Sequence, residues 1–237
     1  MKISLVIPAY NEEKYIGICL ESVFKNAPDF FHEIIVIDNA STDKTKEVVE
    51  KFQGVKVIHE SQKGLTSARQ KGLESASGDL IAYIDADTKM PKGWRDKVIK
   101  AFFENQNFVC VSGPYIYHDV SFLKSISVWI YWHLFAYPTY LLTGYMTVGG
   151  NFVAKKSALE KINGFDKSIS FYGEDTDIAK RLHKVGKVKF MPSLFMYTSA
   201  RRFTGQGTLK TAFIYMLNFL SVAIKGKPIS KEYKDIR

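Results

Sequence analysis

An α/β fold with a mostly parallel central sheet flanked by helices is what this sequence predicts, and two observations predict it. Short runs rich in Ile and Val alternate with segments of helical period through the first half of the chain, and the residues directly after each run are polar and acidic. In sheets of this kind ligands bind beyond the carboxyl ends of the strands, so an acidic rim there is the first sign of a site. A length of 237 residues, with 46% hydrophobic and 24% charged residues, suits one globular core rather than a disordered or fibrous chain.

Residues 2–8, 33–38, 55–59 and 79–85 are short and dominated by Ile and Val, as strands covered on both faces are. Between them, residues 13–25, 44–52 and 65–75 repeat apolar side chains at spacings of three and four, with Ser41, Thr42 and Asp43 as cap candidates for the second. The order β-α-β-α-β-α-β then requires right-handed crossovers between parallel neighbours. Residues 146–154 read as a further strand broken at Gly149-Gly150, where the missing side chains either allow a bulge or let backbone approach a ligand. Gly173-Glu174-Asp175-Thr176-Asp177 opens a helix continued by Ile178, Ala179, Leu182 and Val185. Acids there cap the helix, or hold a carboxylate rigidly where a hydroxyl loses its proton. Residues 194–199 read as one more strand, and after about residue 205 a basic and apolar helical extension, 206–237, follows the main domain, 1–205.

Three strand ends build the rim: Pro8-Ala9-Tyr10-Asn11-Glu12 after the first, Asp38-Asn39-Ala40-Ser41-Thr42-Asp43 after the second, Asp85-Ala86-Asp87 after the fourth. Asn11, Asp38 and Asp43 would each serve as ordinary cap or turn residues if met singly; their convergence favours a site. Two carboxylates with one small residue between them, Asp85 and Asp87, can both reach toward Mg²⁺ or Mn²⁺, which takes one or two carboxylates with phosphate oxygens and water. Such a divalent metal stabilises a departing diphosphate. Late in the chain, the guanidinium forks of Arg201 and Arg202 suit the oxygens of a donor diphosphate or an acceptor phosphate.

The net charge of +9 is unevenly placed: the first 179 residues carry 20 basic and 22 acidic side chains, the remainder 13 and 2. A basic end of this kind meets an anionic lipid surface, a phosphorylated substrate or nucleic acid, or is simply solvated. No nucleic-acid module accompanies it, and no nucleic-acid partner is expected. Residues 126–142 and 209–224 are apolar and aromatic, yet too short and too interrupted to span a bilayer. Each suits either the interface of an anionic membrane or, for the first, packing beneath the acceptor side. Cys19 and Cys110 are too few for a disulfide framework or a four-ligand zinc site. With an apolar run after Lys2 too short for a leader, a cytoplasmic protein is expected, attached at most peripherally to the inner membrane face.

In order and spacing, Pro8-Ala9-Tyr10-Asn11-Glu12-Glu13, Ile37 to Asp43, Lys63-Gly64 with Ala68-Arg69, Asp85-Ala86-Asp87, Gly149-Gly150-Asn151 and Gly173-Glu174-Asp175 resemble family 2 glycosyltransferases of the GT-A, Rossmann-like fold. The resemblance covers residues 1 to about 190. It implies a nucleotide pocket drawn from Pro8, Ala9, Tyr10, Glu12, Asp38, Lys63, Arg69, Asp85 and Ala86, with Tyr10 and Asp38 at the base and Asp85 at the ribose. It implies Asp87 as ligand to the metal, Asp175 beside Glu174 as catalytic base, and Gly150 and Asn151 near the diphosphate or acceptor. The implied reaction is inverting transfer from a UDP- or GDP-type sugar to a glycan or lipid-linked acceptor. The sequence departs from some relatives in having Lys89 after the acidic pair and Ser199-Ala200-Arg201-Arg202 where a late histidine would stand.

Alternatives stay open. A lipid phosphate acceptor, already ionised, would need no base, and a catalytically silent nucleotide-sugar-binding module would share the fold. A nucleotidyltransferase would show a glycine-rich loop after the first strand, where Pro8 to Glu13 has none. A glycoside hydrolase needs two carboxylates across a cleft and no nucleotide pocket.

Overall fold

The computed structural model describes residues 1–169, 171–201 and 208–230. A seven-stranded sheet runs through it in the order β3-β2-β1-β4-β7-β5-β8. The strands are β1 (Ile3–Ala9), β2 (Glu33–Asp38), β3 (Val55–His59), β4 (Leu80–Ile84), β5 (Phe108–Ser112), β7 (Asn151–Lys155) and β8 (Lys187–Phe190). Strand β6 (Tyr115–Tyr117) pairs in parallel with β9 (Met196–Thr198) as a separate two-stranded ribbon. The first four strands are mutually parallel, linked by α1 (Ile16–Asn26), α2 (Thr45–Val49) and α3 (Leu65–Ser75), as the alternating pattern predicts.

Every residue of β1, β2 and β4 is buried, because helices cover both faces. On one face Leu5, Ile7, Val36 and Ala82 pack with Ile16, Leu20 and Val23 of α1 and with Trp94, Val98 and Phe102 of α4 (Trp94–Glu104). On the other, Val6, Ile35, Ile81 and Tyr83 pack with Ala68 and Leu73 of α3 and with Ile178 and Leu182 of α8 (Glu174–His183). The alternation along β1 is the two-residue period of a strand sending successive side chains to opposite layers.

Two features differ from the sequence reading. Strand β7 begins at Asn151, runs antiparallel between β4 and β5, and Gly149-Gly150 forms the turn that enters it rather than a break within it. The region between Asp87 and Ile126, given no element beforehand, supplies α4, β5 and β6. From Phe122 to Thr143 the chain is continuously helical, as α5 (Phe122–Ile130), a π-helical turn (Tyr131–Ala136) and α6 (Tyr137–Thr143). Pro138 explains the widened turn: it lacks the N–H for the carbonyl four residues back, and its ring crowds that carbonyl. Helix α7 (Lys156–Lys161) follows β7, and α9 (Thr208–Lys225) docks against α8, where Lys180 Nζ donates to the Ala223 carbonyl at 2.7 Å.

Candidate active site

The strand order reverses between β1 and β4, and the loops after their carboxyl ends open a crevice there. From β1 come Pro8 and Ala9, within the strand, and Tyr10 and Glu12 beyond it; from β2 comes Asp38, and from β4 come Asp85, Ala86 and Asp87. The β1 and β2 loops brace one another. The Asn11 side-chain carbonyl accepts from the Thr42 backbone N–H at 2.8 Å, and the Glu12 N–H donates to Thr45 Oγ1 at 2.7 Å. Asn11 and Ala40 hold positive φ, which Asn tolerates and Ala adopts only under constraint.

Asp38 is buried, accepts from the Ser41 N–H at 3.2 Å and lies 3.2 Å from His59 Nδ1. Its neighbour Asn39, not singled out from the sequence, organises the next loop: its amide donates to the carbonyls of Glu60 and Gln62, and its oxygen accepts from the Gly64 N–H at 2.8 Å. That loop carries Lys63, whose ammonium donates to the Tyr10 hydroxyl at 3.0 Å and lies over the same ring. Tyr10, Lys63 and Asp38 thereby share one end of the crevice.

At its centre sits Arg69, reached from α3 and only 1% exposed. It ion-pairs with Asp85 at 3.1 Å and with Glu174, at the start of α8, at 2.5 Å. The second Asp85 oxygen accepts from the Tyr115 hydroxyl at 2.7 Å. Both oxygens of Asp85 are thus held by the protein, and Arg69 positions carboxylates from beneath the crevice rather than lining it. Burial pushes the Glu174 carboxyl up to about 8, against the pull of Arg69 and with Asp175 and Asp85 adding to it. One arginine does not neutralise three carboxylates out of water. Asp175 is raised as well, chiefly by burial, while the Thr176 N–H donates to it at 2.8 Å.

Gly149 and Gly150 are required by this cluster. A Cβ at Gly149 would lie 2.5 Å from Glu174 Oε1, and one at Gly150 would collide with the Tyr115 hydroxyl and the Asp85 carboxylate. Both glycines let the backbone close directly onto these side chains. Asn151 is fully buried and structural in its contacts: Trp94 Nε1 donates to its oxygen at 3.0 Å, and its amide donates to the carbonyls of Gly113 and Leu194.

Asp87 is flanked by Thr198 Oγ1 at 3.4 Å and by Arg201, whose guanidinium lies 3.0 Å from Asp87 Oδ2, pairs with Glu12 and covers the Tyr15 ring. Arg202 lies outside the described residues. Among the described residues no cluster of three or more His, Cys, Asp or Glu side chains forms a ready-made metal cage. The donor set still fits a divalent cation shared with a ligand: Asp87 offers hard oxygens at the crevice, and a diphosphate and water would complete the shell. Cys19 and Cys110 are buried free thiols; Cys19 lies directly beneath the acidic pair, its Sγ 3.7 Å from the Asp85 carbonyl, and burial pushes its pKa up to about 12, so it stays a neutral thiol.

A doubly wound sheet with an acidic rim at its switch point and a carboxylate at a helix start is the arrangement of the GT-A class of fold. The chain belongs to glycosyl transferase family 2, whose sequence profile matches residues 4–163; a profile described as the N-terminal domain of galactosyltransferase matches residues 132–202. It is 32% identical over 111 residues to a putative glycosyltransferase, EpsH, of Bacillus subtilis, covering 45% of this chain and 32% of that protein. The match therefore spans about a third of that relative's length. Among solved structures, the fold matches the mannosyltransferase PcManGT from Pyrobaculum calidifontis in complex with GDP-Man and Mn²⁺. There the TM-score is 0.71 at 17% identity, with 95% of this chain and 63% of that one covered. It also matches glucosyl-3-phosphoglycerate synthase from Mycobacterium tuberculosis in complex with Mn²⁺, UDP and phosphoglyceric acid. The TM-score is then 0.66 at 18% identity, covering 97% and 80%.

Proposed function

We propose that this chain transfers a sugar, with inversion, from a UDP- or GDP-type sugar to a glycan or lipid-linked acceptor. The observation that supports the reading is the Arg69 lock, which draws Asp85 from β4 and Glu174 from α8 together and so holds the segments that carry Asp87 and Asp175 near one another. Tyr10, Lys63 and Asp38 receive the nucleotide, and Asp85, held by Arg69 and Tyr115, presents a fixed edge to the ribose. Asp87 would hold Mn²⁺ or Mg²⁺, which when bound offsets charge on the departing diphosphate. Arg201, already beside Asp87, adds a second cation there. Asp175 takes the proton of an acceptor hydroxyl as that oxygen attacks the anomeric carbon from the face opposite the diphosphate. The Mn²⁺ and nucleotide complexes of the two fold neighbours support the metal and donor classes.

The test is thermal stabilisation by UDP, GDP, TDP and CDP with and without Mn²⁺, since a ligand of the folded state raises apparent stability by mass action. One diphosphate stands out, its shift depends on Mn²⁺, and both Asp87→Ala and Arg201→Ala diminish it. No shift with any of the four refutes the donor site, and a shift without turnover favours the silent nucleotide-sugar-binding module.

A further inference from the structure

The helix from Phe122 to Thr143 is about 33 Å long at 1.5 Å per residue and lies along the β8 edge of the sheet. Its domain side is set by Trp132, whose indole donates to the Tyr115 carbonyl at 3.0 Å and stacks on Phe190, by buried Ala136, and by Tyr140 against the same Phe190 ring. The opposite stripe has the wrong polarity for water. Phe122 is 78% exposed, Leu123 77%, Trp129 58%, Leu134 64%, Phe135 63% and Leu142 89%. A surface helix ordinarily turns its apolar stripe to the core, and a contiguous exposed one marks an interaction surface.

Charge identifies the occupant. No Asp or Glu occurs between Asp119 and Glu160, nor between Asp177 and Glu232. The exposed end of α8 adjoins the C-terminal end of the helix, His183 lying against Tyr145 and beside Gly144, and exposed Lys184 follows it. Lys124 stands exposed near the other end. An aromatic and aliphatic strip with basic residues toward both ends and no carboxylate of its own is complementary to an anionic lipid surface. Trp and Tyr favour that interface because one end of each is apolar and the other polar. A second copy meeting the strip across a two-fold axis would instead set cations against cations. No helix among the described residues is long and apolar enough to cross a membrane, so the contact is in the plane of the surface.

We propose that residues 122–143 seat this protein on an anionic bilayer. Tyr115 joins the seat to the crevice, its carbonyl accepting from Trp132 and its hydroxyl donating to Asp85, so a lipid-carried acceptor would be delivered at the rim. Only that last step rests on the transferase reading; the seat itself does not.

Flotation of the intact chain with phosphatidylcholine vesicles, with and without phosphatidylglycerol, tests it. The protein rises with the anionic vesicles, less so at high salt, and brominated lipid quenches part of its Trp fluorescence. Trp129→Gln with Leu134→Gln and Leu142→Gln lowers the bound fraction roughly tenfold or more and removes that quenching. Because these side chains already face solvent, the variant keeps its melting temperature and its response to nucleotide, which separates loss of the seat from loss of the fold or of the donor site. Two results overturn the proposal: no flotation at low salt with either vesicle, or a dimer mass by light scattering that the triple variant converts to a monomer.

Discussion

Gly150 and Asp175 show how tightly the rim is built at the level of single residues. With the Tyr115 hydroxyl and the Asp85 carboxylate filling the place of its Cβ, Gly150→Ala has to push both aside. Overpacking of that kind costs about 1–3 kcal/mol, so thermal unfolding falls by several degrees and the nucleotide-induced shift shrinks with it. Gly54, whose Cβ would meet nothing within 4 Å, is the control for side-chain packing, although its own φ of +82° keeps Ala there mildly strained. As the proposed base, Asp175 would act only when ionised, and burial raises its pKa above the ordinary aspartate value. For a hydroxyl acceptor, kcat/KM therefore falls on the acid side below that raised value, and Asp175→Asn abolishes turnover at every pH while nucleotide binding persists. Turnover that survives Asp175→Asn would point to an acceptor phosphate instead. The sequence named Asp85, Asp87, Glu174, Asp175 and Arg69 as a set, but not Tyr115 or Thr198, since an isolated Tyr or Thr on a short strand carries no local signal of what it faces.

Loops rather than strands build the end of the crevice that holds Tyr10, Lys63 and Asp38, and Asn39 is their keystone. It satisfies two carbonyls and one N–H of the segment from Glu60 to Gly64, and no backbone ladder replaces those bonds. Asn39→Ala removes the partner of three partly exposed backbone groups, at about 1–3 kcal/mol in total, and frees the loop that carries Lys63. Limited proteolysis then cuts near residues 60–64 faster than in the wild type, and the diphosphate shift weakens although Lys63 is intact. Among the helices, the sequence offered two apolar candidates of similar length for a lipid surface. Among the described side chains, α9 buries Val222 beside the start of α8 and ties Asn218 to Ile229 and Ser230, whereas the helix through Pro138 keeps its apolar stripe outside. Hydropathy alone does not distinguish these, because it records what a side chain is and not which way its helix is rolled.

Across the whole molecule, Glu33 ties four parts of the sheet together. Its buried carboxylate accepts from Ser4 of β1 at 2.6 Å, from the backbone and side chain of Ser77 before β4 at 2.7 Å, and from Lys56 of β3 at 2.7 Å. Burial opposes ionisation, but these donors outweigh it and hold the pKa at about 2, below the ordinary 4.5. A depressed carboxylate pKa adds stability that is complete above the unfolded value and is lost as pH falls through the folded one. Unfolding free energy therefore drops between about pH 4.5 and 2, by on the order of 3 kcal/mol from this group, and Glu33→Gln flattens that part of the urea-midpoint profile against pH. What the sequence by itself determined was the parallel half of the fold, strands β1 to β4 with their helices, because burial on both faces writes Ile and Val into consecutive positions and crossovers write a helical period between them. It determined the acidic rim too, since strand ends are local. The antiparallel entry of β7, the burial of Arg69 beneath Asp85, the pairing of Arg201 with Glu12 and Asp87, and the outward roll of the 122–143 helix were decided only by tertiary structure. Each is a contact between residues far apart in the chain, and no local pattern records which partner a long excursion will meet.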